Sequence, residues 1–265
     1  MMKKYLVIGN PIQHTLSPLI QNYWIKKNNI NAIYEKEKLE KRDLRNLILK
    51  VKKEKIHGVN VTVPFKNDVI LYLEELTPEA ENTQSVNTIY LKNNKVTGHN
   101  TDIDGFRLAI QDTKFDVSKK HVLIVGAGGV VPSIIYALIK MKVKKISLIN
   151  RTKERAENLK KLFKNLNIIN WDEIQNFDMI INATSVGLNI NDDLNLDLSK
   201  IENNKFFYDV IYNPKETNFL KNAKILGNQT ENGKKMFIHQ AAQAFKIWHG
   251  IQPEINEEVE KLLNQ

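Results

Sequence analysis

The chain has 265 residues, 42% hydrophobic and 26% charged, which are the proportions of a folded globular protein whose length suits two lobes better than one core. It contains no cysteine, which excludes a disulfide scaffold, a thiolate zinc site and a cysteine nucleophile; its six histidines never pair at metal-ligand spacing, so no metal is expected. The net charge of +9 comes mostly from lysines spread along the chain (Lys26-Lys27, Lys119-Lys120, Lys234-Lys235) without interleaved aromatics, so it reads as solvated surface that favours small anions, not as a nucleic-acid face.

The first apolar run, Tyr5 to Ile8, predicts a strand and is broken at once by Gly9-Asn10-Pro11. It is too short for a signal-peptide core, and no later stretch approaches the roughly 18 apolar residues of a membrane span, so the expected location is the cytoplasm. Pro18 to Lys27 predicts a helix, with Ser17 as its N-cap and Pro18 as its first residue. Ile33 to Glu35, Gly58 to Val63 and Val86 to Leu91 read as further strands, separated by helices over Arg42 to Lys53 and Asp68 to Leu76. Asn93-Asn94 predicts a tight hairpin turn into Val96-Thr97.

A second series starts with a helix near Asp102, where Thr101 and Asp104 fit the capping-box spacing. Strands are expected at Val122 to Val125, Ile146 to Ile149, Met179 to Ile181 and Phe206 to Val210. Helices are expected from the glycine turn to about Met141 and over Lys153 to Phe163. The helical segments Lys235 to His249 and Glu254 to Leu263 have no strand after them and are expected to pack back on the first lobe. The expected architecture is therefore α/β and two-lobed: residues 1–101 with 237–265 form an N-terminal α/β substrate domain, and residues 102–236 form a Rossmann-like, doubly wound nucleotide-binding domain. Linkers near 101 and 236 would flank a substrate cleft between the lobes.

The strand Val122 to Val125 runs straight into Gly126-Ala127-Gly128-Gly129 and then a helix. Glycines there let the backbone approach a pyrophosphate, which sits on the amides and positive end of the helix. The third glycine of that pattern is replaced by Val131, followed by Pro132. At the end of the next strand an NAD site wants a carboxylate; Asn150 stands there instead, followed by Arg151, with Lys153 and Arg155 close behind. A guanidinium pairs with a ribose 2′-phosphate, so the cofactor read from the residues is NADPH. The small-residue loop Asn182-Ala183-Thr184-Ser185-Val186-Gly187 ends the third strand, where an α/β sheet opens its crevice.

On the substrate side, Val59, Val61 and Val63 should share one face of their strand and Asn60 and Thr62 the other. Lys66 lies just before the predicted helix, and a helix N-terminus would lower the pKa of a lysine towards the range useful for proton transfer. Asp102, free of the capping duty, would hold that lysine. Thr15 and Ser17 put two hydroxyls at a helix start, a setting that suits a carboxylate.

Together these segments resemble the shikimate dehydrogenase family along nearly the whole chain. The matching stretches are Gly9-Asn10-Pro11 through His14-Thr15-Leu16-Ser17-Pro18, Asn60-Val61-Thr62-Val63-Pro64-Phe65-Lys66, Val86-Asn87-Thr88, Gly98-His99-Asn100-Thr101-Asp102 and Gly126 to Gly129. They continue with Asn150-Arg151-Thr152, Asn182 to Gly187, Tyr212-Asn213-Pro214-Lys215-Glu216-Thr217, and Gly233 through Met236 to Gln240, before Trp248-His249-Gly250. The resemblance implies reversible hydride transfer between NADPH and the carbonyl of 3-dehydroshikimate, a step of aromatic amino acid biosynthesis. It implies that Lys66 and Asp102 are the catalytic pair, that Thr15 and Ser17 take the substrate carboxylate, and that Thr62, Asn87, Tyr212 and Gln240 contact substrate hydroxyls. It also implies that Asn150, Arg151, Thr152 and Arg155 clasp the adenosine phosphate and that Gly233 lies near the nicotinamide, while the residues themselves put the pyrophosphate on Gly126, Ala127, Gly128 and Gly129 and the loop with Thr184 and Ser185 at the border of the nicotinamide. The chain departs from the family where Thr15 replaces a serine and where Gln84-Ser85 replaces glycine and alanine. A dehydrogenase of quinate, or of both acids, and a non-catalytic NADPH-binding regulator remain open alternatives; the expected assembly is a monomer or homodimer.

Overall fold

The computed structural model describes residues 2–189, 191–198 and 200–264. The chain divides into two compact units, one of the residues up to Gly105 together with those from Ile238 onward, the other spanning Phe106–Phe237. The passages fall a little later than the linkers expected near 101 and 236.

The first unit carries β1 (Lys3–Gly9), α1 (Ser17–Lys27), β2 (Ala32–Lys38), α2 (Leu44–Lys52), β3 (Gly58–Val61), β4 (Glu75–Leu76), α3 (Pro78–Thr83), β5 (Thr88–Lys92), β6 (Lys95–His99) and the start of α4 (Asp102–Asp112). Its sheet runs β2-β1-β3-β5-β6-β4 among the described residues. The three strands on the β2 side are parallel, whereas β5 is antiparallel to both β3 and β6. Asn93 and Asn94 make the β5–β6 turn with φ of 49° and 58°, the left-handed pair that such hairpins require and that asparagine tolerates. Leu6, Ile8, Val59, Val61, Ile89 and Val96 meet Leu44, Leu47, Ile48 and Val51 of α2 in its core.

Three local expectations are corrected in this unit. The helix predicted over Asp68 to Leu76 is a single 3-10 turn, Asp68–Tyr72, followed by β4. Glu74 explains the change: its backbone N–H donates to the Val96 carbonyl at 3.0 Å and its carboxylate accepts from Val96 N–H at 2.7 Å, which draws the chain into an edge strand. The strand predicted over Gly58 to Val63 stops at Val61, and Val63 is exposed ahead of the cis Val63–Pro64 bond, not on the core face with Val59 and Val61. Finally, α1 begins one residue early: Leu16 is its N-cap and no side chain caps it, because the Ser17 hydroxyl meets Thr15 instead.

The second unit continues with β7 (His121–Val125), α5 (Val131–Lys140), β8 (Lys145–Ile149), α6 (Lys153–Leu162), β9 (Asn167–Ile168), β10 (Met179–Asn182), β11 (Phe206–Asp209), α7 (Asn218–Ile225), β12 (Gln229–Glu231) and the first turn of α8 (Lys234–His249). Its sheet is parallel throughout, in the order β12-β11-β10-β7-β8-β9. Counted from β9, that is the 3-2-1-4-5-6 order of a doubly wound sheet, with its switch point between β7 and β10. The strands are buried on both faces, so they read as continuous apolar runs without alternation.

The remainder of α8 and α9 (Glu257–Leu262) belong to the first unit, as the absence of a later strand suggested. Gln21 donates through Nε2 to the Ala241 carbonyl at 2.9 Å, Trp24 through Nε1 to the Glu254 carbonyl at 2.9 Å, and Trp248 through Nε1 to the Ile89 carbonyl at 3.2 Å. Among the described residues no helix is long and apolar enough to cross a membrane.

Candidate active site

In the first unit the strand ends bring Lys66, Asn87 and Asp102 together. Lys66 Nζ lies 2.5 Å from Asp102 Oδ2, and the two side chains are 12% and 8% exposed. Asn87 donates from Nδ2 to Asp102 Oδ1 at 2.8 Å, so one carboxylate oxygen is fixed by an amide and the other faces the ammonium. No α-helix starts beside Lys66, contrary to the expectation, because only a 3-10 turn follows it; its charged neighbour is Asp102.

The Asn87 amide is itself held at both its nitrogen and its oxygen. Its Oδ1 accepts from Thr101 N–H at 2.8 Å and from the Thr88 hydroxyl at 2.9 Å, which dictates that Nδ2 points to Asp102. Asn60, expected on the polar face of its strand, is buried and supports this from behind: Nδ2 donates to the Asn87 carbonyl at 3.0 Å and to the Thr88 hydroxyl at 3.1 Å. Its Oδ1 accepts from the Tyr34 hydroxyl at 2.7 Å. Burial pushes the Tyr34 phenol well above its ordinary pKa, while a hydrogen bond with Ser17 opposes the shift. At the start of α1 the Thr15 hydroxyl donates to Ser17 Oγ at 3.1 Å, so the two hydroxyls stand side by side. Thr62 is half-buried just past β3, and Gln240 is half-buried in α8. Tyr34, Asn60 and Thr88 were missed as contributors; the alternation of Asn60 with buried valines was the signal available.

In the second unit the glycine turn follows β7. Gly126 has φ +115°, and a Cβ there would lie 2.8 Å from the Ala183 carbonyl oxygen and 2.9 Å from the Thr184 methyl, so only glycine allows the turn after β7 to close against the loop after β10. Gly128 and Gly129 are exposed before α5, whose N-terminus no side chain caps. Asn150 donates from Nδ2 to the Thr152 carbonyl at 2.7 Å, shaping the turn into α6. Arg151, Thr152 and Arg155 are exposed there, and among the described residues neither guanidinium is in an ion pair. Gly233 is packed against β11's exit: a Cβ would sit 2.1 Å from the Val210 carbonyl oxygen, and its N–H donates to the Ile211 carbonyl at 3.1 Å. Tyr212 belongs to this unit, stacked on Phe237 with ring centroids 4.9 Å apart and its phenol pKa raised by burial. The turns at Gly126 and Gly233 are cradles that a Cβ would fill, and with the free arginines after β8 they fit a phosphorylated dinucleotide laid across the switch point.

The sequence matches three family models in succession: the shikimate dehydrogenase substrate binding domain over residues 7–89, the shikimate / quinate 5-dehydrogenase family over 107–222, and the shikimate 5′-dehydrogenase C-terminal domain over 235–257. Shikimate dehydrogenase (NADP(+)) of Pelagibacter ubique (strain HTCC1062) is 57% identical over 264 residues, which is 100% of each chain. The crystal structure of shikimate dehydrogenase from Aquifex aeolicus superposes with a TM-score of 0.89 at 36% identity, covering 100% of this chain and 98% of that one. A shikimate dehydrogenase crystallised in complex with NADP+ gives 0.93 at 33% identity over 99% and 95% of the two chains.

The doubly wound unit and these relatives define the class: an NADP-dependent oxidoreductase acting on a CH–OH group. Within that class, the chain belongs to the shikimate dehydrogenase family.

Proposed function

We propose that the chain interconverts 3-dehydroshikimate and shikimate with NADPH and NADP, using mainly its first unit for the substrate and its second for the cofactor. The observation that carries this reading is the contact between Lys66 and Asp102, two residues 36 positions apart whose charged groups meet at 2.5 Å in a largely buried setting. Ion pairing of this depth is costly unless further hydrogen bonds support it, and Asn87 supplies one to Asp102.

NADPH, when bound, supplies the hydride that reaches C3 of the substrate. The oxygen left on C3 then needs a proton, and Lys66 is the donor; in the reverse direction Lys66 accepts the proton of the C3 hydroxyl. Asp102 holds the ammonium in place and balances its charge. Proton transfer by a positioned group typically contributes on the order of 10²–10⁴-fold in rate. The adjacent Thr15 and Ser17 hydroxyls take the substrate carboxylate, and Thr62, Asn87, Tyr212 and Gln240 take its hydroxyls. Gly126, Ala127, Gly128 and Gly129 would hold the diphosphate, Asn150, Arg151, Thr152 and Arg155 the adenosine phosphate, and Thr184, Ser185 and Gly233 would lie beside the nicotinamide ring. A cytoplasmic setting goes with this reading.

The test is a spectrophotometric assay at the NADPH absorbance band with shikimate or quinate, each with NADP or NAD. The expected result is the highest kcat/KM for shikimate with NADP. Preference for quinate with NAD, or no turnover with either acid, overturns the assignment.

A further inference from the structure

Asp209 is the last residue of β11, is fully buried, and has no described cation within ion-pair distance. Burial raises its pKa against the opposing pull of its hydrogen bonds. Three donors converge on it: the Thr217 hydroxyl at 2.6 Å, Ile211 N–H at 2.9 Å and Asn182 Nδ2, 3.1 Å from each carboxylate oxygen. Asn182 is its direct cross-strand partner, the last residue of β10.

A carboxylate only accepts, so it fixes which way the Asn182 amide faces. With Nδ2 committed to Asp209 and to the Val186 carbonyl at 3.0 Å, Oδ1 must face the other way. There it accepts from Thr184 N–H at 3.0 Å and from the Thr184 hydroxyl at 2.7 Å. The Thr184 hydroxyl in turn accepts from Val186 N–H at 3.0 Å. These bonds leave the Thr184 methyl against the glycine turn, 2.9 Å from where a Gly126 Cβ would be. On the other side, Asp209 holds Ile211 N–H while the Ile211 carbonyl accepts from Gly233 N–H. One buried carboxylate thus connects, through Asn182 and Ile211, the loop after β10, its packing on the turn after β7, and the exit of β11 toward Tyr212 and Gly233.

We propose that Asp209 is a positioning residue for the cofactor: through Asn182 it orients the Thr184 loop, and through Ile211 the Gly233 segment. This rests on the assignment of those segments to NADP made above. Desolvating a carboxylate that has hydrogen bonds but no cation still works against folding, so stability alone does not select it. Its value lies in a hydrogen-bond polarity that a neutral amide at the same place would not impose.

The experiment is a fluorescence titration of NADPH, and a separate calorimetric titration of shikimate, on full-length Asp209→Asn and on Arg151→Ala. Asp209→Asn should raise the NADPH dissociation constant tenfold or more while leaving that of shikimate within twofold. An NADPH constant within twofold of the parent overturns the proposal, as does a parallel loss of both ligands together with a collapsed thermal midpoint. If Asp209→Asn does not fold, Thr217→Val removes the shortest donor to the carboxylate, together with the N-cap of α7, while keeping the methyl that packs beside Gly187 in the loop after β10. It should weaken NADPH three- to tenfold, and an unchanged constant again overturns the proposal. Arg151→Ala separates the two readings: if it weakens NADPH and the Asp209 variant does not, only the positioning role fails. If neither variant weakens NADPH, the cofactor assignment fails with it.

Discussion

Asn87 and Asp102 form a hydrogen bond of 2.8 Å, donated by the amide to the carboxylate oxygen that does not face Lys66. Because Asn87 Oδ1 is already taken by Thr101 N–H and the Thr88 hydroxyl, the amide cannot turn over without losing both. The orientation of Asp102, and with it the position of the Lys66 ammonium, is thus set by β5 and the start of α4 in advance of any ligand.

Lys66→Ala should lower kcat by roughly 10²–10⁴-fold, the usual yield of positioned proton transfer, with KM for shikimate changing less than about threefold. Steady-state kinetics in the oxidative direction measure both. Near-normal turnover would remove Lys66 from the chemistry.

Arg151→Ala should weaken NADPH by about 10- to 100-fold, the equivalent of a charge-assisted hydrogen-bonded contact, and leave NADH within about twofold. Parallel titrations with the two cofactors decide it, since an equal effect on both would mean that Arg151 does not sense the 2′-phosphate.

Gly233→Ala places a methyl 2.1 Å from the Val210 carbonyl oxygen and 2.6 Å from its carbon, both backbone atoms that cannot rotate aside. The segment must shift, at a cost of about 1–3 kcal/mol. Thermal unfolding should show a lower midpoint and NADPH titration a weaker complex; an unchanged midpoint would contradict the packing described.

Acid should destabilise the fold through His249. Burial and, secondarily, the charge of Lys3 lower its pKa from 6.5 to about 4, and its Nε2 is buried without a hydrogen-bond partner. The unfolded chain takes up this proton below about pH 6.5 and the folded chain resists it, so stability falls as pH drops from about 6.5 to about 4 and levels off below. His57, His99 and His121, lowered mainly by burial, act in the same direction. In His249→Gln the thermal midpoint should lose roughly 3–8 °C less over that interval than in the parent.

The parts legible in the sequence are those written in contiguous residues. Val122 to Gly129 announces a buried strand, a glycine turn and a helix because each depends on near neighbours, and the Asn93-Asn94 turn is legible for the same reason. The pairing of Lys66 with Asp102 is legible only through family resemblance and residue type, since nothing in spacing tells that positions 66 and 102 meet. Where the local pattern misled, a distant partner had prevailed. Residues 68–76 look helical until Val96 offers Glu74 both a donor and an acceptor, and Ser17 looks like a cap until Thr15 claims its hydroxyl. Short elements such as α3, α7 and β12 escaped because a few residues carry too little periodicity. The Asp209–Asn182 contact joins two strand ends 27 residues apart through side-chain polarity alone, which no apolar pattern records.

The three hydrogen bonds that tie Gln21, Trp24 and Ile89 to the segment from Ala241 to Glu254 bear on the order of events during synthesis. The residues from Phe106 to Phe237 are synthesised before that closing segment, so every strand of the inserted unit is made before the first unit has its covering helix. The amino-terminal sheet, though made earlier, stays uncovered until the segment from Ala241 to Glu254 is available to cover Trp24 and bind the Ile89 carbonyl.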